Sequence, residues 1–425
     1  MDRFGSSVSQ SGNILAVGAN EADPGGIADA GAVYLYQIET NGSATYLTKV
    51  TAPDAAANDQ FGFSVSQSDN ILAVGARYAD LGGISGAGAA YLYQIETNGS
   101  ATYLTKVTAP DGPDSDLFGF SVSQSGNILA VGASYADPAG VSGAGAAYLY
   151  RLEANGTTSF LSKVTAPDMS TNDQFGHSVS QSGNILAVGA HLADPSGNVD
   201  AGASYLYRLE TNGSVTFLSK VTAPDSTSND QFGQSVSQSG NILAVGAFRA
   251  DPSGSMQLGA TYIYRLEANG SASFLTKITA HNMAAFDQFG NSVSLYGNIL
   301  AVGARYSDPE ANTDAGATYL YSLEANGSAT FLSTLTAPDK NPNDHFGYSV
   351  SQSGNILAVG SYFADPGGIS NAGAVYTFDI SDYIPNRAPT DLNSTASLTI
   401  MENQPIGTVV GDFNTTDPDG DEITY

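Results

Sequence analysis

His177 and His191 are the closest this chain comes to a pair of metal ligands. They stand 14 residues apart, and the chain has no cysteine to join them. Two ligands fall short of the three or four that a zinc site needs. The other histidines, His281 and His345, lie elsewhere in the sequence. No H-x-x-x-H, G-x-S-x-G or phosphate-loop pattern appears. Carboxylates are plentiful: 41 Asp and Glu stand against 14 Lys and Arg, for a formal net charge of −27. That abundance makes any one pair uninformative for acid–base work. The chain is therefore not expected to be an enzyme. A surface this acidic repels nucleic acid and anionic membranes, and no apolar run is long enough to span a bilayer. Neither nucleic-acid binding nor membrane insertion is expected. Without cysteine, disulfides and thiolate chemistry are excluded.

The carboxylates recur in register. Asp2, Asp59, Asp116, Asp173, Asp230, Asp287 and Asp344 each precede a Phe-Gly pair, and the pairs begin at Phe4, Phe61, Phe118, Phe175, Phe232, Phe289 and Phe346, every interval being 57. Asp23, Asp80, Asp137, Asp194, Asp251, Asp308 and Asp365 follow a Gly-Ala strand, and Asp54, Asp111, Asp168, Asp225 and Asp339 follow Ala-Pro. A role repeated in every copy is architectural, so these side chains are expected to cap loops by accepting backbone N–H bonds. The functional alternative is a cation-attracting rim.

A strict period of this size marks a repeat architecture. Each copy parses into four strands: FGxSVSQ, then a two-residue Ser-Gly turn, NILAVGA, a loop of about ten residues, GAxYLYxLE, an Asn-Gly turn whose residues both tolerate positive φ, and TFLxKVTAP. Four antiparallel strands per repeat, seven times over, predict an all-β, seven-bladed β-propeller. Small residues crowd strands one and two and bulky ones fill strands three and four, as a wedge-shaped blade requires. Lys49, Lys106, Lys163, Lys220 and Lys277 sit in strand four, where a lysine on an outer edge discourages edge-to-edge pairing. Strand four occurs six times, not seven, so the seventh blade is expected to take its fourth strand from sequence upstream of Met1. Residues 1–5 fall inside a repeat and Tyr425 inside a strand-like segment, so further sequence and further domains are expected beyond both ends.

Long loops all fall on one face, where binding residues tend to concentrate. The residues that vary between copies cluster there. After the Gly-Ala strand come Asn20-Glu21, Arg77-Tyr78, Ser134-Tyr135, His191-Leu192, Phe248-Arg249, Arg305-Tyr306 and Tyr362-Phe363. After Phe-Gly come Ser6, Phe63, Phe120, His177, Gln234, Asn291 and Tyr348. Aromatic and Arg side chains are the types enriched at binding hot spots. Arg77, Tyr78, Tyr135, His191, Phe248, Arg249, Arg305, Tyr306, Tyr362 and Phe363 are thus the expected ligand ring, for protein or glycan. The alternative is drift, with the aromatics packing on neighbouring loops.

The Phe-Gly strand followed by the Gly-Ala strand, seven times in phase over roughly residues 1–380, resembles the FG-GAP repeat. That repeat builds integrin α-subunit propellers and many bacterial secreted proteins. The bacterial variety is the nearer likeness, with FGxSV, AVGA, GAxYxY and Lys-x-x-Ala-x-Asp. Integrin-type copies often hold calcium in a DxDxDG loop between the first two strands. Here that loop is Gln67-Ser68-Asp69-Asn70, too short and too poor in carboxylates for such a site. Residues 388–425 resemble the start of a cadherin-like domain, through Ala388-Pro389-Thr390, Glu402-Asn403, Gly407-Thr408-Val409-Val410 and Asp417-Pro418-Asp419-Gly420-Asp421. This resemblance implies a partial β-sandwich and calcium at Glu402, Asp417 and Asp419; the alternative is a polar turn. No other cofactor is expected.

The expected organisation is a propeller over residues 1–383, a linker over 384–390 and a truncated cadherin-like domain over 391–425. By resemblance the expected function is an extracellular or cell-surface adhesion and interaction module, binding through the long-loop face. The alternative is a carbohydrate-binding accessory region of a larger secreted polysaccharide-processing enzyme.

Overall fold

The computed structural model describes residues 1–39, 42–112, 115–251, 257–282 and 284–383, together with the backbone of Leu392–Ser394 and Phe413–Thr415. The chain divides into two compact units, Met1–Ser381 and Asp382–Tyr425. In the second, the two short strands just named pair antiparallel. The expected cadherin-like sandwich, with Glu402, Asp417 and Asp419, lies outside the described residues.

The first unit is a seven-bladed β-propeller. Blade two shows the plan: Phe61–Ser68, Ile71–Ala76, Ala89–Ile95 and Ala101–Val107 form an antiparallel sheet in sequence order. Six blades have four strands. The seventh shows three among the described residues, Phe346–Ser353, Ile356–Ser361 and Ala374–Asp379.

Strand one lies nearest the axis, and its chemistry ties the blades together. Ser7 Oγ donates to the Gly62 carbonyl at 2.8 Å, and Ser64 Oγ to that of Gly119 at 2.9 Å. The same bond recurs blade by blade until Ser349 Oγ donates to the Gly5 carbonyl at 2.8 Å, closing the ring from the last blade to the first. A second set runs alongside it, in which the Gln67 N–H donates to Ser9 Oγ and the Gln10 N–H to Ser351 Oγ. Each such bond contributes about 1 kcal/mol net, so their number matters more than any one of them. Strand two is buried on both faces. Gly75 is glycine because a Cβ there would collide with the Gly119 carbonyl of the next blade.

Each blade interface also holds an aromatic trio. Phe118 packs against Tyr148 and Tyr150, with ring centroids 5.3 and 6.2 Å apart. The strand-four lysines belong to this layer, which corrects the edge-protection reading. Lys106 Nζ lies 2.7 Å from Asp54 of the preceding blade, and Tyr91 Oη donates to the same carboxylate at 2.9 Å. Burial raises the Asp54 carboxyl, but the Lys106 and Tyr91 hydrogen bonds outweigh it and hold the group below its usual range. The clamp repeats at Lys163–Asp111, Lys220–Asp168 and Lys277–Asp225. At the next interface both charges are gone together: Asn282 accepts from Tyr319, and Thr334 stands where the lysine would be.

Twelve of the remaining in-register aspartates cap loops, as expected. Asp23 Oδ1 accepts the Asp29 N–H at 2.8 Å, and all seven equivalents accept an N–H six residues on. Asp59 Oδ2 accepts the Ala56 N–H at 2.8 Å, a bond with counterparts at Asp173, Asp230, Asp287 and Asp344. The Asn-Gly turns join strands three and four as hairpins, as expected. Gly99 has φ +82, but Asn98 is not left-handed; its Oδ1 instead accepts from the N–H and hydroxyl of Ser100, at 3.0 and 2.7 Å.

Candidate functional site

A bulge aims one residue of each blade at the mouth of the central channel. Phe61 pairs with Ala76 and Ser64 with Gly75, so Gly62 and Phe63 fall between paired positions. Gly62 takes φ +90, a conformation side chains rarely adopt. The residue before Phe-Gly turns in as well. Arg3, Gln60, Leu117, Gln174, Gln231, Gln288 and His345 all have φ between 52° and 56°. A non-glycine residue held there costs about 1 kcal/mol or more, and conserving that cost in seven blades fixes the direction of these side chains. The pair after the Gly-Ala strand completes the mouth.

Two arginines anchor it. The Arg77 guanidinium lies 3.6 Å from the Phe63 ring, 4.6 Å from Tyr78 and 5.6 Å from Phe120, and Arg77 Nε donates to Gln60 Oε1 at 2.9 Å. Burial lowers the Arg77 pKa, opposed by the nearby Tyr78. Arg305 repeats the arrangement on Tyr306 at 4.9 Å and Tyr348 at 5.5 Å, with Gln288 Oε1 accepting at 2.9 Å. Arg3 pairs with Glu21 at 2.8 Å and lies over Tyr362 and Phe363. Four of the chain's eight arginines, Arg3, Arg77, Arg249 and Arg305, therefore gather at this mouth. Below it the axial cavity, about 240 Å³, is lined by three residues of every first strand, Phe63-Ser64-Val65 in blade two.

The expected ring divides in two. Tyr78 and Tyr135 are exposed, at 38% and 46%, and Arg77, Arg249, Arg305, Tyr306 and Phe363 are half-buried. His191, Phe248 and Tyr362 are buried, at 7%, 6% and 9%; they pack against neighbours and do not lie open to a ligand. Tyr362 stacks on Phe363 at 4.1 Å and packs at a tilt on Tyr348 at 3.9 Å. The sequence reading missed Arg3, Gln60, Gln288 and His345. Their signal was the position before Phe-Gly, where Gln in four copies gives way to Arg, Leu and His in the others.

His177 and His191 do meet, ring to ring at 3.8 Å, and His177 also packs on Phe120. Burial, followed by the charge of Arg77, lowers His177 to about 4; burial, His177 and Arg249 push His191 well below its usual value. Both are neutral at pH 7. Among the described residues no group of three or more His, Asp or Glu is placed to hold a metal.

His345 packs among Tyr306, Tyr362 and Phe363 at 4.7 to 5.7 Å. Burial, then Arg305, lowers it to about 4. A folded pKa below the unfolded value of about 6.5 gives stability that is present above pH 6.5 and lost as pH falls through 4. Asp173 and Asp287, raised to about 6 by burial, act with the opposite sign, losing their contribution as pH rises through 6. A difference against a variant isolates the histidine. Gln occupies this backbone position in four other blades, so His345→Gln is expected to fold. Its stability should fall about 2 kcal/mol less than that of the parent between pH 7 and 4.5, as read from urea unfolding at each pH.

The comparisons with known proteins agree with the propeller fold. The family described as FG-GAP repeat matches residues 1–36, 45–93, 102–150, 158–207, 215–264, 273–321 and 330–378. The chain belongs to the FG-GAP repeat family. No curated protein matches it. Among solved structures, the FG-GAP chain is similar to the periplasmic gluconolactonase PpgL of Pseudomonas aeruginosa, with a TM-score of 0.52 and 15% identity, covering 79% of this chain and 86% of that one. It is similar also to a protein from Lactobacillus plantarum, with a TM-score of 0.50 and 17% identity over the same shares. At such identities the likeness shows the fold alone.

Proposed function

We propose that this FG-GAP propeller, an interaction module by family, works outside the cell or on its surface and binds protein or glycan at the channel mouth on the long-loop face. The supporting observation is the gathering of four arginines on aromatic faces in a chain of net charge −27. Guanidinium groups stacked on rings and fixed by Gln60 and Gln288 are pre-organised for planar anionic groups. The ligand is therefore an acidic one, a carboxylated or sulfated glycan or an acidic protein segment. The exposed Tyr78 and Tyr135 add flat apolar area beside the charge. No catalytic step is assigned to the module. Calcium, if it acts in the protein, belongs to the segment holding Glu402, Asp417 and Asp419.

The test is a binding screen of the whole chain on arrays of neutral glycans, acidic glycans and acidic peptides. Binding is expected on acidic members, with Arg77→Ala and Arg305→Ala each weakening it roughly tenfold or more. Selective binding of neutral glycans would favour the accessory-region alternative. Acidic binding that the Arg77→Ala, Arg305→Ala double variant retains in full overturns the placement at the mouth.

A further inference from the structure

The face opposite the channel mouth carries the turns that join strands three and four, and each turn holds out a side-chain amide. Asn98, Asn155, Asn212, Asn269 and Asn326 are all exposed; Asn41, their equivalent in the first blade, lies outside the described residues. Each opens Asn-Gly-Ser or, at Asn155, Asn-Gly-Thr. Asn98 Oδ1 accepts the Ser100 N–H at 3.0 Å and the Ser100 hydroxyl at 2.7 Å. Asn155 Oδ1 accepts the same two groups from Thr157 at 3.0 and 2.7 Å, and the other three turns repeat both bonds. The middle residue is seated against the preceding blade. A Cβ on Gly99 would fall 2.8 Å from Leu47 Cδ2, and the Gly99 N–H donates to the Glu96 carbonyl at 2.9 Å. The Asn and the hydroxyl residue therefore stand outward on either side of a fixed point.

A hairpin accounts for the Asn and the Gly but not for the third residue. The cap needs only that residue's N–H, which every amino acid except proline supplies. Yet all six copies carry a hydroxyl there, and the one change among them, to Thr157, keeps it. The next position is not held in this way: Ala101, Thr158 and Val215 occupy it in successive blades.

We infer that these turns are N-glycan acceptor sites, each taking an oligosaccharide on the Asn Nδ2 from a lipid-pyrophosphate donor. The inference rests on the reading that the chain works outside the cell, because such transfer acts on chains that leave the cytoplasm. Two donors on Oδ1 draw electron density from the amide and make its N–H more acidic. Nδ2 bonds to C1 of the sugar, the bond from C1 to the pyrophosphate oxygen breaks with its electron pair, the lipid pyrophosphate departs, and one Nδ2 proton passes to solvent. Glu96 stands two residues before Asn98, and Glu holds that place in every copy, which suits transferases that require an acidic residue there. Glycans on this face leave the channel mouth free.

The test incubates the folded whole chain with a purified single-subunit oligosaccharyltransferase of that kind and a lipid-pyrophosphate oligosaccharide. Intact mass should rise in equal steps, and peptide mapping should place the glycan on Asn98, Asn155, Asn212, Asn269 and Asn326. Asn98→Gln should remove one step. Ser100→Ala should lower occupancy of Asn98 at least about tenfold while Ser100→Thr keeps it. The four unchanged turns of the same molecule report whether each variant is folded and acceptor-competent. No mass step, glycan added only after the chain is denatured, or occupancy of Asn98 indifferent to loss of the Ser100 hydroxyl overturns the inference. The assay involves no export, so its failure leaves the location and the mouth standing. Binding of acidic glycans before and after transfer tests the mouth separately and should not change.

Discussion

Gly132→Val is expected to abolish folding or to destabilise the propeller by about 4 kcal/mol or more. Gly132 lies in the second strand of blade three, Ile128–Ala133, at an ordinary φ, so the effect is spatial and not conformational. A Cβ there would fall well inside van der Waals contact with the Gly176 carbonyl of the next blade and with Ser121 Oγ. That carbonyl is already the acceptor of the Ser121 hydroxyl at 2.8 Å, so it cannot withdraw without breaking the hydrogen-bonded ring. In a closed ring, a blade pushed outward must open a second interface or strain all seven. Gly126→Ala is the control. Its φ is +57 and nothing lies within 4 Å of an added Cβ, so a loss of only about 1 kcal/mol is expected. Urea unfolding followed by far-UV circular dichroism separates the two. Equal losses would mean that blade spacing is softer than the glycine positions imply.

The propeller was legible because its causes are periodic. Phe, Gly and Ser recur at fixed phase, and each repeated position does the same work in each blade. The role of the strand-four lysines was hidden because the partner of Lys106 is Asp54, 52 residues away and in another blade. A single copy presents the lysine as an edge residue; only the joint loss at Asn282 and Thr334 reveals a pair. The Asn-Gly turns were legible as hairpins, but not which of the two residues takes the left-handed conformation. Asn98 uses its side chain as a cap, which leaves the positive φ to Gly99 alone.

At the mouth, variation between copies located the right region but not the depth of each side chain. Which way a residue points depends on the Gly62 bulge and on the left-handed turn at Gln60, and neither is written in residue type. His191 and Tyr78 occupy neighbouring positions of the same variable pair in different copies, yet one is buried and the other exposed. The Gln before Phe-Gly carries no chemistry that singles it out in the sequence. Gln60 and Gln288 position the arginines through hydrogen bonds that only the folded ring creates.

Phe118→Ala is expected to destabilise by about 3–5 kcal/mol and Phe4→Ala by about half as much. The two residues hold the same place in the repeat and pack on equivalent tyrosines, Phe118 on Tyr148 and Tyr150, Phe4 on Tyr34 and Tyr36 at 5.5 and 6.1 Å. They differ in cover. Phe118 is fully buried, with the preceding blade's strand four and Ala109 packed on its cluster, whereas Phe4, which faces the seventh blade, is half-buried among the described residues. Truncating Phe118 leaves a closed cavity, while truncating Phe4 removes less contact from a site already open to water. Urea unfolding of both variants against the parent measures the difference. Equal losses would show that the first interface is as well sealed as the others.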